Sequence, residues 1–346
     1  MKVARHSIGS ILLGLTALVA GTLAGGTASA ADGASFFKDK TVRIIVGFGP
    51  GGGYDAYARM LAPHLKKVLD ATVIVENQPG AGGLSAMNRL YIAPPDGLQM
   101  MLIQGTGTAL SQIVGLPAVR FDLAKVGYLG IVSASPWVWL ASAKTKIMTV
   151  ADALKPGLKV SFGASGQIDG LSDGAAITCA TLKLDCRIVR SYKGSSAVAL
   201  ALAQGEMDME YVSDTSANHY VQAGDARALA SMGRVKSRFF PNQPTIFEAV
   251  KLSPDQQWWF DFRATLDALG RILVVPPGMA KDRLAELQAA FKKVLTDPAV
   301  IAEGEKYQRY IDYIDPEKTR QMVDSVVASL TPAQKAEAIH IIIKKY

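Results

Sequence analysis

Twice in quick succession this sequence passes from a short apolar run through a glycine-rich turn into a stretch with helical periodicity. No other feature restricts the fold as much. Thr41 to Gly47 (TVRIIVG) is almost continuously apolar, as a strand buried on both faces of a parallel sheet must be. Residues 49–53 are glycine-rich, and from Tyr54 to Leu69 the residues Ala58, Leu61, Leu65 and Leu69 recur on one helical face. Thr72 to Val75 is a second strand, Pro79 to Gly83 (PGAGG) a second turn, Leu84 to Ile92 a second helix and Met100 to Gln104 a third strand. Short connections in the order β-α-β-α-β predict a doubly wound sheet, whose ligands bind beyond the carboxyl ends of the strands.

The alternation then begins again. Lys159 to Phe162 is a strand, followed by GASGQ and a helix to about Leu182. Arg187 to Tyr192 is a strand, followed by KGSS and a helix over Ala197 to Gln204. Met207 to Val212 is a strand followed by Asp214. Helical patterns return at Lys281 to Thr296 and Pro316 to Leu330. The expected fold is α/β with two lobes, each a mostly parallel sheet flanked by helices. Residues 31–137 with 263–346 form the first lobe and 138–262 the second. No low-complexity linker separates them, so strand-like crossings are expected near Trp137–Leu140 and Trp258–Arg263, acting as hinges.

The first 30 residues stand outside this fold. Lys2, Arg5 and His6 precede an apolar run from Ile8 to Ala24, and Ala28-Ser29-Ala30 has the small-x-small form of a cleavage site. This is the pattern of a secretory signal peptide, and it places the mature protein in the periplasm. The run is too short and glycine-rich for an anchor, and no later segment is apolar enough to span a bilayer. Loss of Lys2 and Arg5 takes the net charge from +7 to +5, with the charges scattered. No basic run is interleaved with aromatics, which argues against nucleic acid. Cys179 and Cys186 are either a bridge, which the periplasm permits, or two free thiols. With no histidine near them, a metal site is not expected.

The strongest motif is Gly47-Phe48-Gly49-Pro50-Gly51-Gly52-Gly53-Tyr54-Asp55. Consecutive glycines let backbone N–H groups converge, and the helix start adds partial positive charge, so the turn can hold an anion without a charged side chain. Asp55 stands where its oxygen can bond a first-turn N–H. One such loop has a bland explanation as a tight turn; two at the same sheet edge point to a ligand. Gly47, Gly49 and Gly52 also fit G-x-G-x-x-G, with Glu76 near the place of a ribose-binding acid, so a Rossmann-like dinucleotide oxidoreductase is the alternative. Pro50 in the turn, the PGAGG turn and the export signal count against it. No Lys-Ser/Thr follows the glycines, so a phosphate-binding Walker loop is excluded. GASGQ lacks the last glycine of G-x-S-x-G, and His64, His219 and His340 have no nucleophile or metal partner in sequence.

Taken in order, GFGPGGGYD, ENQPGAGG, APPDG at Ala93–Gly97, SYKGSS at Ser191–Ser196 and PPG at Pro276–Gly278 resemble the tripartite tricarboxylate transporter substrate-binding proteins, the TctC or Bug family. The resemblance covers nearly the whole mature chain. It implies a Venus-flytrap fold, a small carboxylate ligand, no catalysis and no cofactor, a monomer in solution, and membrane permease subunits as partner. It also implies a carboxylate cradle of Gly51, Gly52 and Gly53 with Gly80, Ala81, Gly82 and Gly83, to which Thr106 and Thr108 add hydroxyls. From the second lobe it implies Ser165, Gly166 and Gln167, the turn Tyr192, Lys193, Gly194 and Ser195, and Asp214 as an acid meeting a ligand amine or hydroxyl. Gln167 and Asp169 stand where the family more often has small residues, which leaves the ligand open.

Overall fold

In the computed structural model, which describes residues 36–346, the repeated pattern becomes two five-stranded sheets. The signal peptide expected over residues 1–30 lies outside the described residues. The first sheet is begun by β1 (Thr41–Val46), α1 (Gly53–Leu69), β2 (Thr72–Asn77), a 3-10 turn (Ala81–Gly83), α2 (Leu84–Tyr91), β3 (Gln99–Gln104), α3 (Gly105–Ile113) and β4 (Gly127–Ser133). Residues 134–136 lead into the second sheet: β5 (Trp137–Ser142), α4 (Val150–Ala153), β6 (Lys159–Gly163), α5 (Leu171–Thr181), β7 (Asp185–Val189), α6 (Ser195–Gln204), β8 (Met209–Ser213), α7 (Asp214–Gln222), β9 (Ala226–Ser231) and α8 (Ile246–Ala249). Helix α9 (Pro254–Asp267) returns the chain to β10 (Arg271–Val275) in the first sheet. There follow α10 (Lys281–Leu295), α11 (Pro298–Lys306), α12 (Pro316–Val327), α13 (Pro332–Ile339) and a π-helical turn at His340–Lys345.

The strand orders are β2-β1-β3-β10-β4 and β7-β6-β8-β5-β9. In the first sheet β10 runs antiparallel to both β3 and β4. In the second, β5 runs antiparallel to both β8 and β9. Each sheet is therefore mixed, with one strand running against four, and that odd strand is the one entered directly from the other sheet. Both odd strands are buried on two sides, which explains their unbroken apolar runs. Ile272 and Val274 enter one core of the first sheet, Leu273 and Val275 the other. Trp137, Trp139 and Ala141 face one core of the second sheet, Val138 and Leu140 the other.

The crossings differ from the strand-like segments expected. Trp137–Leu140 is interior to the second sheet, and Trp258–Arg263 lies in the middle of α9. The helix there is set by its start: Ser253 Oγ accepts from Gln256 N–H, the Gln256 side chain accepts from Ser253 N–H, and Pro254 opens the first turn. The strand expected over Arg187 to Tyr192 ends at Val189 and leaves Tyr192 in the following turn. Of the two readings of the cysteines, the bridge is the one formed. Cys179 and Cys186 join the end of α5 to β7 with Cα atoms 6.1 Å apart, closing a short loop at a gain of about 2 kcal/mol.

Candidate functional site

Phe48, Gly52, Gly53, Tyr54, Gln104 and Arg271 of the first sheet and its turns face Trp137, Leu171, Ser195, Val212, Ser213 and Ser216 of the second across one cavity. Its walls stand so close that only about 20 Å³ is open to the centre of a water molecule. The cavity lies at the carboxyl ends of β1, β3 and β8, and at the starts of the antiparallel β5 and β10.

Four helices begin at this cavity: α1 after Gly52, α3 after Gln104, α6 after Gly194 and α7 after Ser213. None has a side chain bonded to its first turn as a cap. Away from it, α4, α8, α9, α11, α12 and α13 are capped by Thr149, Thr245, Ser253, Asp297, Asp315 and Thr331. Helices α2 and α10 lack a cap without opening onto the cavity, and α5, whose Leu171 lines it, has Gly170 N–H held by Asp173 and Ser172 N–H by Asp169. An uncapped start leaves first-turn N–H groups without a side-chain acceptor and a partial positive charge in place, although Gly105 N–H of α3 donates to Gly270 O and Asp214 N–H of α7 to Pro136 O. Several such starts converging on one space favour an anion there.

A full positive charge joins them. Arg271 is 2% exposed, and its guanidinium donates to the hydroxyls of Ser133, Ser135, Ser213 and Thr215 at 3.0–3.2 Å. It lies against the Tyr54 and Tyr57 rings, its Nε has no hydrogen-bond partner, and no carboxylate within ion-pair distance is found among the described residues. The contrast is with Arg263, also fully buried. That side chain pairs with Asp173 and Asp267, donates to Gly170 O, and lies beside the stacked Trp137 and Tyr211 rings. The fold neutralises one buried arginine with two acids and gives the other only neutral oxygens. An unpaired buried charge is costly, and Asp214, between Ser213 and Thr215, acts on Arg271 electrostatically without a bond to it. Neither Arg271 nor Gln104 was singled out from the sequence. Arg271 opens an apolar strand and looks like a chain-end charge until β10 is placed between β3 and β4.

The residues expected in the cradle divide into two groups. Gly52, Gly53 and Ser195 line the cavity. Gly51 N–H donates to Asp55, whose carboxylate also binds Arg59, so this acid shapes the turn. Burial raises the Asp55 pKa, but the bonds from Arg59 and Gly51 outweigh it and leave it lowered. The second turn meets the other lobe instead. Gly82 N–H donates to Ser165 O at 3.0 Å, and Gly82 has a positive φ of 67°. A Cβ on Gly166 would stand 2.4 Å from Gly82 N and one on Gly82 2.6 Å from the Asp169 side chain. Gly80, Ala81 and Gly83 share the positive-φ turn that makes this contact. Lys193 O accepts from Gly49 N–H, Ser196 Oγ donates to Pro50 O, and Gly194 lies against Phe48. Tyr192 is half-buried against Leu171 and Val198. Thr106 Oγ1 donates to Leu266 O, Thr108 faces a minor gap beside Gly82, and Gln167 donates to Ile342 O and Ile343 O.

Asp214 is placed away from the cavity lining. It is fully buried, and its oxygens accept from Tyr310 Oη at 2.9 Å and Ser237 Oγ at 3.0 Å. Asp214→Asn should therefore cost about 1–3 kcal/mol of stability through these bonds and leave the order of ligand preference unchanged. Chemical denaturation and ligand titration on the one variant check both.

Asp169 ties the 165–172 loop together, accepting from Ser165 N–H, Ser165 Oγ and Ser172 N–H. Burial pushes its pKa up to about 6, against those hydrogen bonds. Burial likewise raises Asp267, outweighing Arg263. A raised carboxyl binds its proton more tightly in the folded state, so this contribution is largest at low pH and is lost as pH rises through about 6. Thermal stability should climb as pH falls from about 7.5 to 5, by on the order of 2 kcal/mol. His219, whose pKa is lowered by burial, opposes the trend below its ordinary value. A melting series across this range that falls or stays level contradicts the reading.

A wider groove of about 280 Å³ lies at the crossings, lined by Ala134, Pro136, Val235 and Ala268. Its one arginine, Arg234, is paired with Asp261, so no unpaired charge faces it. Among the described residues no cluster of His, Cys, Asp and Glu could hold a metal, and no helix is long and apolar enough to cross a membrane.

The family profile described as tripartite tricarboxylate transporter family receptor, TctC, matches residues 57–330. A UPF0065 protein of Bordetella pertussis is 28% identical over 275 residues, covering 78% of this chain and 80% of that protein. BugT of the same organism is 27% identical over 234 residues, covering 62% and 67%. Among solved structures, the periplasmic binding protein BugD superposes with a TM-score of 0.75 at 20% identity, covering 88% of this chain and 98% of its own. MatC from Rhodopseudomonas palustris, solved with bound malate, superposes at 0.71 and 20% identity, covering 87% and 99%. An R. palustris protein solved with adipate superposes at 0.71 and 17% identity, covering 88% and 97%. The two mixed sheets are those of the periplasmic-binding-protein fold.

Proposed function

Because this chain belongs to the tripartite tricarboxylate transporter receptor family, whose members are binding proteins and not enzymes, we propose that it captures a small carboxylate in the periplasm and delivers it to a membrane permease. The observation that carries the ligand class is the electropositive cavity. Four helix starts without a side-chain cap and a buried arginine without a bonded counter-ion converge on it. A carboxylate supplies what this set lacks, and charge-assisted bonds in a dry cavity offset its lost hydration. Malate in MatC and adipate in the R. palustris protein support the same class.

Both lobes line the cavity, so a ligand held there favours the state in which they meet. Gly49 with Lys193, Gly82 with Ser165, and Tyr310 with Asp214 are the contacts that fasten it. A dinucleotide is disfavoured at the first turn, where a Cβ on Gly49 would stand 3.3 Å from Lys193 O, because backbone already fills the place of a pyrophosphate.

The reading is tested by thermal shift. A true ligand at a hundredfold excess over Kd stabilises by about 2.7 kcal/mol. At least one small carboxylate should give this shift, and NAD and NADP none. A shift with a dinucleotide and with no acid overturns the proposal.

A further inference from the structure

Asp169 lies where the two lobes touch backbone to backbone. It is 0% exposed, in the loop that leads from β6 into α5. A Cβ on Gly82 of the first lobe would stand 2.6 Å from its Cβ, and one on Gly107 3.1 Å from its Cα. These two glycines cover the acid with backbone. The same loop carries Ser165, whose carbonyl accepts from Gly82 N–H across the lobe boundary. Asp169 holds that loop through Ser165 N–H, Ser165 Oγ and Ser172 N–H, so the acid and the bond between the lobes belong to one small unit.

The charges around it give little relief. Asp173 in the first turn of α5 and Glu210 in β8 act on it with the same sign, and Asp173 is paired with Arg263. Arg190, half-buried after β7, is attracted to Asp169 but donates to Ser172 Oγ. From the first lobe Gly82 and Gly107 bring no charge. Closing the lobes therefore takes water from a carboxylate without supplying a counter-charge. The carboxyl can accept a proton and keep the loop, because Ser165 Oγ can turn from donor to acceptor.

We propose that closure of the lobes is linked to protonation of Asp169, so that closing takes up a proton in mild acid and acid draws the lobes together. Burial pushes the pKa up to about 6 in the closed state, whereas water at a parted interface returns it toward the ordinary 3.8. The stabilisation of the closed state is complete below the open-state value and is lost as pH rises through about 6. From pH 7.5 to 5 the closing equilibrium should shift by about tenfold toward closed. On the receptor reading given above, capture is tighter in acid and release easier at neutral pH.

Native-state amide exchange tests this with no ligand added. Gly82 N–H donates to Ser165 O and Gly49 N–H to Lys193 O, both across the lobe boundary. Corrected for the intrinsic pH dependence of exchange, protection of both amides should rise about tenfold from pH 7.5 to 5. Gly49 meets a different loop, so a rise at Gly82 alone means local tightening around Asp169 and overturns the proposal. Asp169→Asn should abolish the rise. Ser165→Ala removes a donor to the ionised carboxylate but keeps the carbonyl that Gly82 bonds, and should move the rise to higher pH. Level protection in the parent protein, or an undiminished rise in Asp169→Asn, overturns the inference and leaves the receptor reading intact. Should the asparagine variant fail to fold, an unmoved transition in Ser165→Ala overturns it instead.

Discussion

Arg271→Met should yield a protein that melts higher without ligand and no longer binds carboxylates. Both halves follow from the same imbalance. The guanidinium is 2% exposed and meets only hydroxyls and aromatic faces. Methionine fills similar length in the apolar surroundings of Tyr54 and Tyr57 and removes the unpaired charge. Replacing buried ionic groups by apolar ones of similar volume is often stabilising by about 1–4 kcal/mol. Here the gain is trimmed because Ser133, Ser135, Ser213 and Thr215 lose a donor. Ser213 and Thr215, 3.4 Å apart, can turn toward each other, so a net gain near 1 kcal/mol remains, or roughly 2 °C for a chain of this size. Binding should fall by more than about 100-fold, since a charge-assisted contact in a closed cavity is lost. Arg271→Lys keeps the charge but not the planar fork, and should recover part of the affinity. Calorimetry with differential scanning on the three proteins checks the signs. A methionine variant that melts lower and still binds would mean that Arg271 is a structural residue held by its hydroxyls.

How much of this was legible beforehand differs between fold and site. The two glycine turns announced the sheet edge because a buried strand, a glycine run and an amphipathic helix each have a local signature, and β1–α1 and β2–α2 followed it. The crossings were misread because Trp258–Arg263 is apolar enough for a strand, and the decisive signal was the Ser253-Pro254-Asp255-Gln256 helix start before it. In the site, the first turn could be read because backbone donors need only glycine and a helix start. Arg271 could not, since its significance rests on the antiparallel insertion of β10 and on the acids of the neighbouring segments, Asp55 and Asp214, being bonded to other groups. Asp214 lay at the expected strand end, but the start of a helix has an inner and an outer side. Tyr310, nearly a hundred residues away, occupies the carboxylate that sequence position alone would aim at a ligand.

The second large effect concerns Gly82 and Gly166, where the lobes touch backbone to backbone. Gly82→Val introduces a Cβ 2.6 Å from the Asp169 side chain and 2.7 Å from Ile168 O, at a φ of 67° that a branched residue adopts only with strain. Gly166→Val brings one to 2.4 Å from Gly82 N. Backbone cannot yield as a side-chain tip can, so the clash is relieved by parting the lobes, which also breaks the Gly82 N–H bond to Ser165 O. Neither residue is in the sheet cores, so each lobe should keep its fold. What fails is the meeting of the lobes, and with it the half of the cavity contributed by Trp137, Ser195 and Ser213. Affinity should drop by about 30-fold or more, equivalent to about 2 kcal/mol, even though Arg271 and the start of α1 are untouched. Gly166→Val discriminates best, because its loop carries no cavity-lining side chain before Leu171. Small-angle scattering should show the variant with a radius of gyration larger by roughly an ångström against about 20 Å for this length. Far-ultraviolet circular dichroism should match the parent. Unchanged affinity with unchanged scattering in both valine variants would mean that the Gly82–Ser165 contact does not govern closure, and the ligand would then have to be held by one lobe alone.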